Sequence, residues 1–558
     1  MTVHTIDGMS ATKQNTNANS TTSNCAELRP GIDASTGFIP TCGDGAAGAK
    51  QHDYIAEIPE KTGLDTIFLA PGDMVCVAAR PIAAGETVTV EGHEPLTVLN
   101  DVPRGHKIAL QDIPEGTNVV KYGFAIGRAK QDIKKGEWVH THNIRTNLGA
   151  NLEYEYEPTD DTVKPGTPTA TFLGYRRANG KVGIRNDLYI VPTVGCIDGL
   201  CDTMARSFRA LHPDNGNFDS VIVARHPYGC SQLGGDLVWT QNTLRGIAEH
   251  PNAGGVLLVG LGCENNQMDL MKEGMHEYVP ERTRFMICQD MEDEFETAAQ
   301  LLEELNDAAA NDERVEIPMS ELKVGVECGG SDGMSGITAN PLVGRFAEWV
   351  VSQGGSVILS EVPEMFGAET VLMSQARDEG VFHDVVRLIN KFKDHFRKYG
   401  EIISDNPSPG NKAGGITTLE DKSLGCIRKG GKCEVEDVLW YGERLRRNGL
   451  SLMETPGNDM VSTTAMASAG CQIILFTTGR GTPFGCFVPT LKVATNTPLA
   501  TKKHRWIDFN AGRLLDESAA VVDADFRDLV LETVNGARAN NERNAMQGVV
   551  IFKDGPTE

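Results

Sequence analysis

Polar, glycine-rich loops follow the apolar strand candidates of this chain, and this pairing constrains the fold more than any other feature. After Gly174, apolar segments alternate with amphipathic stretches of helical period. Such alternation predicts an α/β architecture with a largely parallel sheet, in which ligands bind at the carboxyl ends of the strands. The strand candidates are 187–194, 219–224, 255–261, 322–326, 356–360, 472–477 and 548–552, and the helix candidates include 291–306, 341–353 and 524–537.

The chain before Gly174 has a different pattern. Short alternating apolar runs separated by turn residues, such as 74–78 and 87–90, predict a small β-rich domain. The first residues are rich in Thr, Asn, Ser and Gly with few large apolar side chains, which is typical of disorder. The predicted divisions are a disordered leader at 1–65, the β-rich domain at 66–145, a polar linker at 146–170, an α/β domain at 171–320 and a C-terminal α/β domain at 321–558.

Charge and cysteine usage restrict the class of protein. A formal net charge of -24 argues against nucleic acid, because phosphate contacts need a basic surface. The longest apolar runs fall far below the ~20 residues that span a bilayer, and no secretory signal pattern opens the chain. The 13 cysteines form no CxxC pair, which fits a reducing compartment better than a disulfide framework. We therefore expect a cytoplasmic protein that binds neither nucleic acid nor a membrane.

Cysteines end or follow several of the strand candidates, beside glycine, serine and carboxylates. A buried cysteine is most often a small apolar residue, but repeated placement at strand ends favours ligands. Thiolates together with carboxylates suit iron, either as a mononuclear ion or as an iron–sulfur cluster with an open position, although the spacing matches no ferredoxin pattern. The candidate metal ligands are Cys196, Cys230, Cys263, Cys328, Glu264 and Asp332.

Basic and imidazole side chains supply candidate catalytic groups. Two histidines at positions i and i+2 face the same side if they lie on a strand, and an arginine between glycines suits a carboxylate. A lysine in the loop 406–415 is either an anion clamp or a turn residue. Glu361 and Glu364 suit metal binding or proton transfer, or only the charge of a helix N-terminus. The candidate catalytic residues are His106, Lys107, His140, His142, Lys412 and Arg480.

These motifs resemble one family, the altronate and galactarate dehydratases among the sugar-acid dehydratases. The likeness covers roughly 66–558 and rests on the segments 105–107, 121–123, 140–143, 185–186, 192–196, 228–230, 261–264, 327–332, 406–412 and 477–483. It implies a small SAF-type β domain before the larger α/β catalytic region. The segments 140–143, 262–267 and 506–510 are more similar to the altronate branch than to the galactarate branch.

The resemblance implies that the chain removes water from D-altronate to give 2-dehydro-3-deoxy-D-gluconate in hexuronate catabolism. It also implies a requirement for Fe²⁺, with Mn²⁺ as a second candidate ion. The hydrogen beside a carboxylate is weakly acidic, so a metal or cationic donors must stabilise the enediolate while a base takes the proton. An acid then assists departure of the hydroxyl group.

Other functions remain open at this stage: a galactarate dehydratase, a sulfolactate sulfo-lyase of the same family, or a non-catalytic sugar-acid sensor. The expected partners are a small sugar acid and, for assembly, a second copy of the chain in a homodimer.

Overall fold

The computed structural model describes residues 63–149 and 153–557. The disorder predicted for the leader therefore falls almost wholly outside the described residues. Within the described part of the chain, no helix combines the length and apolar character needed to cross a membrane.

The predicted β-rich domain is confirmed as a set of short antiparallel strands. Some of these strands pack around a small core that contains Cys76, Val88 and Ile108. Val119, Ile126 and Ile144, from other strands of the domain, pack in the large core of the α/β region. The strands form the sheets β1-β2-β5-β8, β3-β4 and β6-β7-β9. Their bounds are β1 Thr66–Ile67, β2 Val75–Ala78, β3 Thr87–Val88, β4 Leu96–Thr97, β5 Lys107–Ala109, β6 Asn118–Lys121, β7 Phe124–Ala129, β8 Trp138–Val139 and β9 Ile144–Arg145.

The polar segment that follows is fastened to the α/β region. Between 153 and 170 the chain forms no helix or strand. The Tyr154 hydroxyl donates to the Glu369 carboxylate at 2.6 Å, and the Tyr156 hydroxyl donates to the Ala376 carbonyl at 2.8 Å. In its described part, the predicted linker is therefore an extended segment that hydrogen bonds hold against the C-terminal α/β domain.

The first part of the α/β region contains a four-stranded parallel sheet in the order β13-β12-β14-β15. A separate antiparallel sheet, β11-β10-β16, lies beside it in the chain. The strands are β10 Thr171–Arg176, β11 Val182–Gly183, β12 Asp187–Pro192, β13 Val221–Val223, β14 Ala253–Gly260, β15 Thr283–Ile287 and β16 Val315–Pro318. The helices are α1 Asp198–Leu211, α2 Gly234–Ala248, α3 Met268–Glu273 and α4 Glu294–Ala308.

The second part contains a seven-stranded, fully parallel sheet in the order β19-β20-β18-β17-β21-β22-β23. The strands are β17 Lys323–Cys328, β18 Ser356–Leu359, β19 Val435–Leu439, β20 Gly449–Met453, β21 Ile473–Thr478, β22 Thr490–Ala494 and β23 Phe509–Asn510. The helices are α5 Ala339–Ser352, α6 Glu369–Ser374, α7 Glu379–Lys398, α8 Pro409–Ala413, α9 Leu419–Cys426, α10 Asp459–Ser468, α11 Thr497–Lys502, α12 Ala519–Val534 and α13 Asn540–Arg543.

Both parallel sheets reverse their strand order at one point. The chain leaves β12 toward β13 and returns on the other side at β14, and it leaves β17 toward β18 and returns on the other side at β21. A crevice opens outside the carboxyl ends of strands at such a reversal, and ligands bind there in open α/β sheets. The topology thus offers two places for a site.

One strand prediction is wrong. The segment 548–552 makes only a single bridge, from Gly548 to Cys486. Val549 and Ile551 are buried as the pattern predicts. The backbone N–H groups of Val550 and Phe552 donate to side-chain hydroxyls, those of Thr464 and Tyr441, and not to a neighbouring strand. An apolar run in the sequence therefore predicts burial but does not by itself predict pairing with another strand.

Candidate active site

The crevice between β17 and β21 brings two of the polar loops together. The Gly330 carbonyl, after β17, accepts the backbone N–H of Arg480 at 2.9 Å, after β21. A Cβ built on Gly479 would lie 2.2 Å from Cγ of Asp332. Gly479 is therefore needed to leave room for the Asp332 carboxylate. We call this place, defined by Asp332 and Arg480, the Asp332 crevice.

Asp332 is held by several hydrogen bonds from different parts of the chain. The Thr495 hydroxyl donates to both carboxylate oxygens at 3.1 Å, and the Asn496 amide donates at 3.3 Å. The Ser335 hydroxyl and the Met334 N–H donate at 3.1 Å. Burial raises the pKa of Asp332 above its usual value in spite of these donors. The carboxyl is fixed in position and suited to holding a proton.

A third loop, 406–415, closes over the same crevice. The Asn411 amide donates to the Ser331 carbonyl at 2.8 Å, and the Gly333 N–H donates to the Gly414 carbonyl at 2.7 Å. A Cβ on Gly333 would lie 2.0 Å from the Gly105 carbonyl oxygen. Glycine is therefore required where the loops meet the β domain. Lys412 lies half-buried in this loop, on α8.

The β domain contributes a group of rings and a guanidinium to the crevice. Burial lowers the pKa of Arg104, and the nearby charge of Asp332 opposes that shift. Nε of Arg104 is a buried donor with no partner among the described residues. Trp138 Nε1 donates to His106 Nδ1 at 3.2 Å, and His106 Nε2 faces the Ala413 carbonyl at 3.4 Å. Both ring nitrogens of His106 are thus engaged, which fixes a neutral ring with its proton on Nε2.

His140 and His142 lie in a turn and not on a strand, because β8 ends at Val139. Both rings nevertheless pack on the Trp138 indole, with ring centroids 5.3 Å away in each case. Burial, followed by the charge of Lys107, lowers the pKa of His140 to about 3. Its Nδ1 atom is buried and lacks a hydrogen-bond partner within the described ranges. His140 therefore has a neutral ring with one unpartnered nitrogen, whereas His142 is exposed.

Lys107 joins the β domain to the α/β region. Its ammonium group donates to the Asp421 carboxylate at 2.8 Å and to the Gly415 carbonyl at 2.8 Å, and Lys121 donates to the other Asp421 oxygen at 3.0 Å. Burial lowers the pKa of Lys107 to about 8. This geometry gives Lys107 an interdomain ion pair, and its catalytic role stays a prediction.

Cys328 lies in a buried network of charges behind the crevice. Its Sγ is 2.9 Å from the Lys429 ammonium, 3.2 Å from a Glu364 oxygen and 3.5 Å from Cys426 Sγ. Lys422 pairs with Glu364 at 2.5 Å. Although these thiols and this carboxylate are close enough together to hold an ion, two ammonium groups already face them. Such positive charge opposes a cation, so this set fits a metal poorly.

The other cysteine candidates lie on loops at the strand reversal of the four-stranded sheet, which we call the thiol edge. Their sulfur atoms are not among the described groups whose ligand atoms all lie within 4.8 Å of one another. Cys196, Cys230 and Cys263 are all exposed there, after β12, β13 and β14. Backbone hydrogen bonds connect their loops: the Gly195 N–H donates to the Tyr228 carbonyl at 2.8 Å, and the Asn266 N–H donates to the Gly229 carbonyl at 3.0 Å. Their exposure distinguishes them from Cys328.

Glu264 supports the thiol edge through local hydrogen bonds. It accepts from the Thr193 hydroxyl at 2.5 Å and from the backbone N–H groups of Leu261 at 3.0 Å and Gly262 at 2.6 Å. Burial opposes its ionisation, but these donors outweigh it and lower the pKa of Glu264. The carboxylate holds the loop of Cys263 in place, and its role as a metal ligand stays a prediction.

Apart from Lys107 and Cys328, the predicted residues divide between two places. Asp332, Arg480, Lys412 and the histidines gather around the Asp332 crevice, whereas the exposed thiols and Glu264 form the thiol edge. Sequence reasoning missed Arg104, although it stands two residues before His106, and it missed Lys422 and Lys429. The two lysines lie on and just after an ordinary-looking helix, so only tertiary structure reveals their partners.

Three family models match this chain, and together they cover most of it. Residues 64–147 match the altronate/galactarate dehydratase SAF domain, and residues 174–310 match the second domain of D-galactarate dehydratase/altronate hydrolase. Residues 319–557 match the C-terminal D-galactarate/altronate dehydratase model. The matched segments follow the order of domains in the fold.

Relatives in two bacteria are similar over nearly their whole length. The altronate dehydratase of Bacillus subtilis (strain 168) is 52% identical over 87% of this chain and 98% of its own, and that of Escherichia coli (strain K12) is 50% identical over the same shares. The galactarate dehydratase (L-threo-forming) of Escherichia coli is 33% identical over 79% of this chain and 88% of its own. The chain is a member of the altronate/galactarate dehydratase family of hydro-lyases.

Proposed function

We propose that this protein is a hydro-lyase that converts D-altronate to 2-dehydro-3-deoxy-D-gluconate and water. The observation that carries the proposal is the similarity, over 98% of their length, to relatives named altronate dehydratase. Similarity to a galactarate dehydratase is lower, at 33% identity. The Asp332 crevice supplies the positive charge and proton carriers that this reaction needs.

The reaction removes a proton from the carbon beside the carboxylate and a hydroxyl group from the next carbon. The resulting enol takes up a proton on carbon to give the 2-oxo product, so one water leaves and no redox partner is needed. Arg480 is exposed at the crevice, and its planar fork suits the substrate carboxylate. Arg104 adds a second cation that stabilises the enediolate.

Proton transfer falls to the groups whose environment leaves them able to exchange a proton. We assign the base to His140, because its ring is neutral and its Nδ1 lacks a partner within the described ranges. His106 orients the neighbouring rings, since both its nitrogens are occupied. Asp332, with a raised pKa, is suited to protonating the departing hydroxyl group.

We further propose that iron binds at the thiol edge. Thiolates on three neighbouring loops suit Fe²⁺ or an iron–sulfur cluster, and the exposure of Cys196, Cys230 and Cys263 leaves them accessible to it. When bound, iron would supply a Lewis acid at the thiol edge. Cys328 is the weakest of the proposed ligands, because Lys429 lies 2.9 Å from its sulfur. Exposed ligand thiols need a reducing compartment, so we propose a cytoplasmic enzyme.

Product analysis tests the activity. The purified chain, prepared anaerobically with Fe²⁺, is incubated separately with D-altronate, galactarate and sulfolactate, and the 2-oxo acid or sulfite is measured. We expect 2-dehydro-3-deoxy-D-gluconate from altronate at a rate well above that of either alternative. Faster turnover of galactarate, or sulfite release, would replace the altronate assignment.

A further inference from the structure

Two buried thiols face each other behind the Asp332 crevice, and the proton transfers proposed above use neither. Cys328 is the last residue of β17, and Cys426 is the last residue of α9. Their sulfur atoms lie 3.5 Å apart, and the two residues are only 1% and 3% exposed. We call these two residues the buried thiol pair. A disulfide bond is about 2.05 Å long, so the sulfurs must approach by a further ~1.5 Å to bond.

Charged groups around the pair make Cys328 the more reactive of the two thiols. The Lys429 ammonium lies 2.9 Å from the Cys328 sulfur, and the Cys328 thiol donates to the Glu364 carboxylate at 3.2 Å. The carboxylate can accept the thiol proton, and the ammonium group stabilises the thiolate that remains. The thiolate, and not the thiol, is the form that a peroxide oxidises. Cys426 is then the thiol that closes the bond.

A narrow cavity gives a small oxidant access to the pair. Its lining includes Ser331 and Asp332 of the crevice loop together with Lys422 and Cys426 of α9. Its volume is about 10 Å³, close to the space that one water molecule needs. Hydrogen peroxide is little larger than water, whereas a bulky disulfide such as oxidised glutathione is far too large to enter. The geometry therefore selects a hydroperoxide as the oxidant.

We propose that hydrogen peroxide joins Cys328 and Cys426 in a reversible disulfide bond. The Cys328 thiolate attacks one peroxide oxygen, the O–O bond breaks, and the departing hydroxide takes up the thiol proton and leaves as water. The sulfenic acid on Cys328 is then attacked by the Cys426 sulfur, which loses its proton as the hydroxyl group leaves as a second water. Each sulfur gives up one electron, and the peroxide receives both.

The bond would disturb both sides of the Asp332 crevice. β17 leads into the loop of Asp332, whereas α9 carries Asp421, which pairs with Lys107 of the β domain at 2.8 Å. Drawing the ends of these two elements together shifts the two carboxylates relative to each other, and it takes from Lys429 its sulfur partner. We expect turnover to be lost on oxidation and to return with a thiol reductant and Fe²⁺. This expectation rests on the proposed dehydratase activity, whereas detection of the bond by mass does not.

Peptide mass spectrometry on the folded full chain treated with hydrogen peroxide tests the bond. Iron is chelated beforehand so that it does not decompose the peroxide, and the remaining thiols are alkylated as the chain is unfolded and cut with trypsin. Cleavage after Lys and Arg places Cys328 in 324–345 and Cys426 in 423–428, each without another cysteine. The wild type is compared with Cys426→Ser and with the control Cys433→Ser, because Cys433 is also buried but packs in the apolar core.

We expect 324–345 linked to 423–428 in the treated wild type and in Cys433→Ser, and the link should disappear after treatment with dithiothreitol. In Cys426→Ser the link cannot form, so Cys328 should stop at a sulfenic acid, which dimedone traps. If Cys426→Ser does not fold, the linked peptide in the wild type decides the question. Treated wild type without that peptide, or with Cys328 as a sulfinic acid and Cys426 free, would overturn the proposal.

Discussion

The two strand reversals have the same topology but opposite chemistry. At the thiol edge, three cysteines are exposed on loops that backbone hydrogen bonds hold in place. At the Asp332 crevice, the cysteine of the loop is buried against Lys429, and carboxylates and ammonium groups fill the space behind it. Strand order therefore brings each set of loops together, but the groups packed behind a loop decide whether its thiol is exposed or buried.

The largest effect we expect comes from breaking the ion pair that joins the β domain to the Asp332 crevice. Lys107→Met removes one of the two ammonium groups that pair with the buried Asp421 carboxylate. A fully uncompensated buried charge costs about 3–5 kcal/mol, and the loss here should approach the lower end of that range because Lys121 remains. Chemical denaturation should show this loss. Iron content per folded protein should not change, because the thiol edge lies on the other sheet. A loss of iron that matches the loss of stability would contradict the separation of the two sites.

Substitution at the thiol edge should lower iron content without lowering stability, the reverse of the result expected for Lys107→Met. Cys263→Ser should lower iron content and turnover by about a hundredfold while leaving the thermal midpoint unchanged, because the side chain is exposed. Cys288→Ser is the control: burial raises the pKa of Cys288 to about 11, so its thiol stays protonated and is a poor ligand. Full iron retention by Cys263→Ser would remove this residue from the metal site.

Substitution of Arg480 tests whether the Asp332 crevice binds the substrate independently of iron. Arg480→Lys keeps the positive charge but loses the planar guanidinium that can make two parallel hydrogen bonds. We expect kcat/KM to fall roughly ten- to hundredfold, which corresponds to a loss of about 1.5–3 kcal/mol of transition-state stabilisation. Iron content should stay constant. Arg206→Lys, on the exposed face of α1, is the matched control and should have no kinetic effect. An unchanged kcat/KM for Arg480→Lys would exclude Arg480 from substrate binding.

The smallest expected effect concerns pH. Burial lowers the pKa of His106 to about 4 and of His140 to about 3, below the usual value of 6.5. The unfolded chain therefore binds protons first, so the stabilisation is present above pH 6.5 and is lost as the pH falls toward 3. His140→Gln should flatten the decline of the thermal midpoint between pH 6.5 and 4. The same slope in wild type and variant would show that His140 is not buried as a neutral ring.

Much of this architecture follows from local patterns in the sequence. The apolar runs at 187–194 and 322–326 predict buried parallel strands because both faces of such strands are covered, and the polar loops after them mark the carboxyl edges. The resemblance to the dehydratases supplies the β domain and the reaction. None of this requires knowledge of which loops meet.

What the sequence does not predict depends on contacts between distant segments. Cys263 is exposed in the loop after β14, whereas Cys328 is buried at the end of β17. The groups that surround Cys328 come from distant segments: Lys429, Glu364 and Cys426. His140 and His142 follow an alternating pattern but lie in a turn, because the strand ends after two residues. The buried thiol pair likewise forms only when β17 and α9 assemble.

X-ray absorption at the iron edge tests the central claim most directly, that the exposed thiols and not the buried one bind the metal. The experiment compares anaerobically reconstituted wild type with Cys328→Ser and with the combined Cys196→Ser, Cys230→Ser and Cys263→Ser variant. We predict sulfur neighbours of iron in the wild type and in Cys328→Ser, and their loss together with the iron in the combined variant. Iron surrounded only by oxygen and nitrogen in the wild type, or sulfur ligation lost in Cys328→Ser alone, would contradict the account.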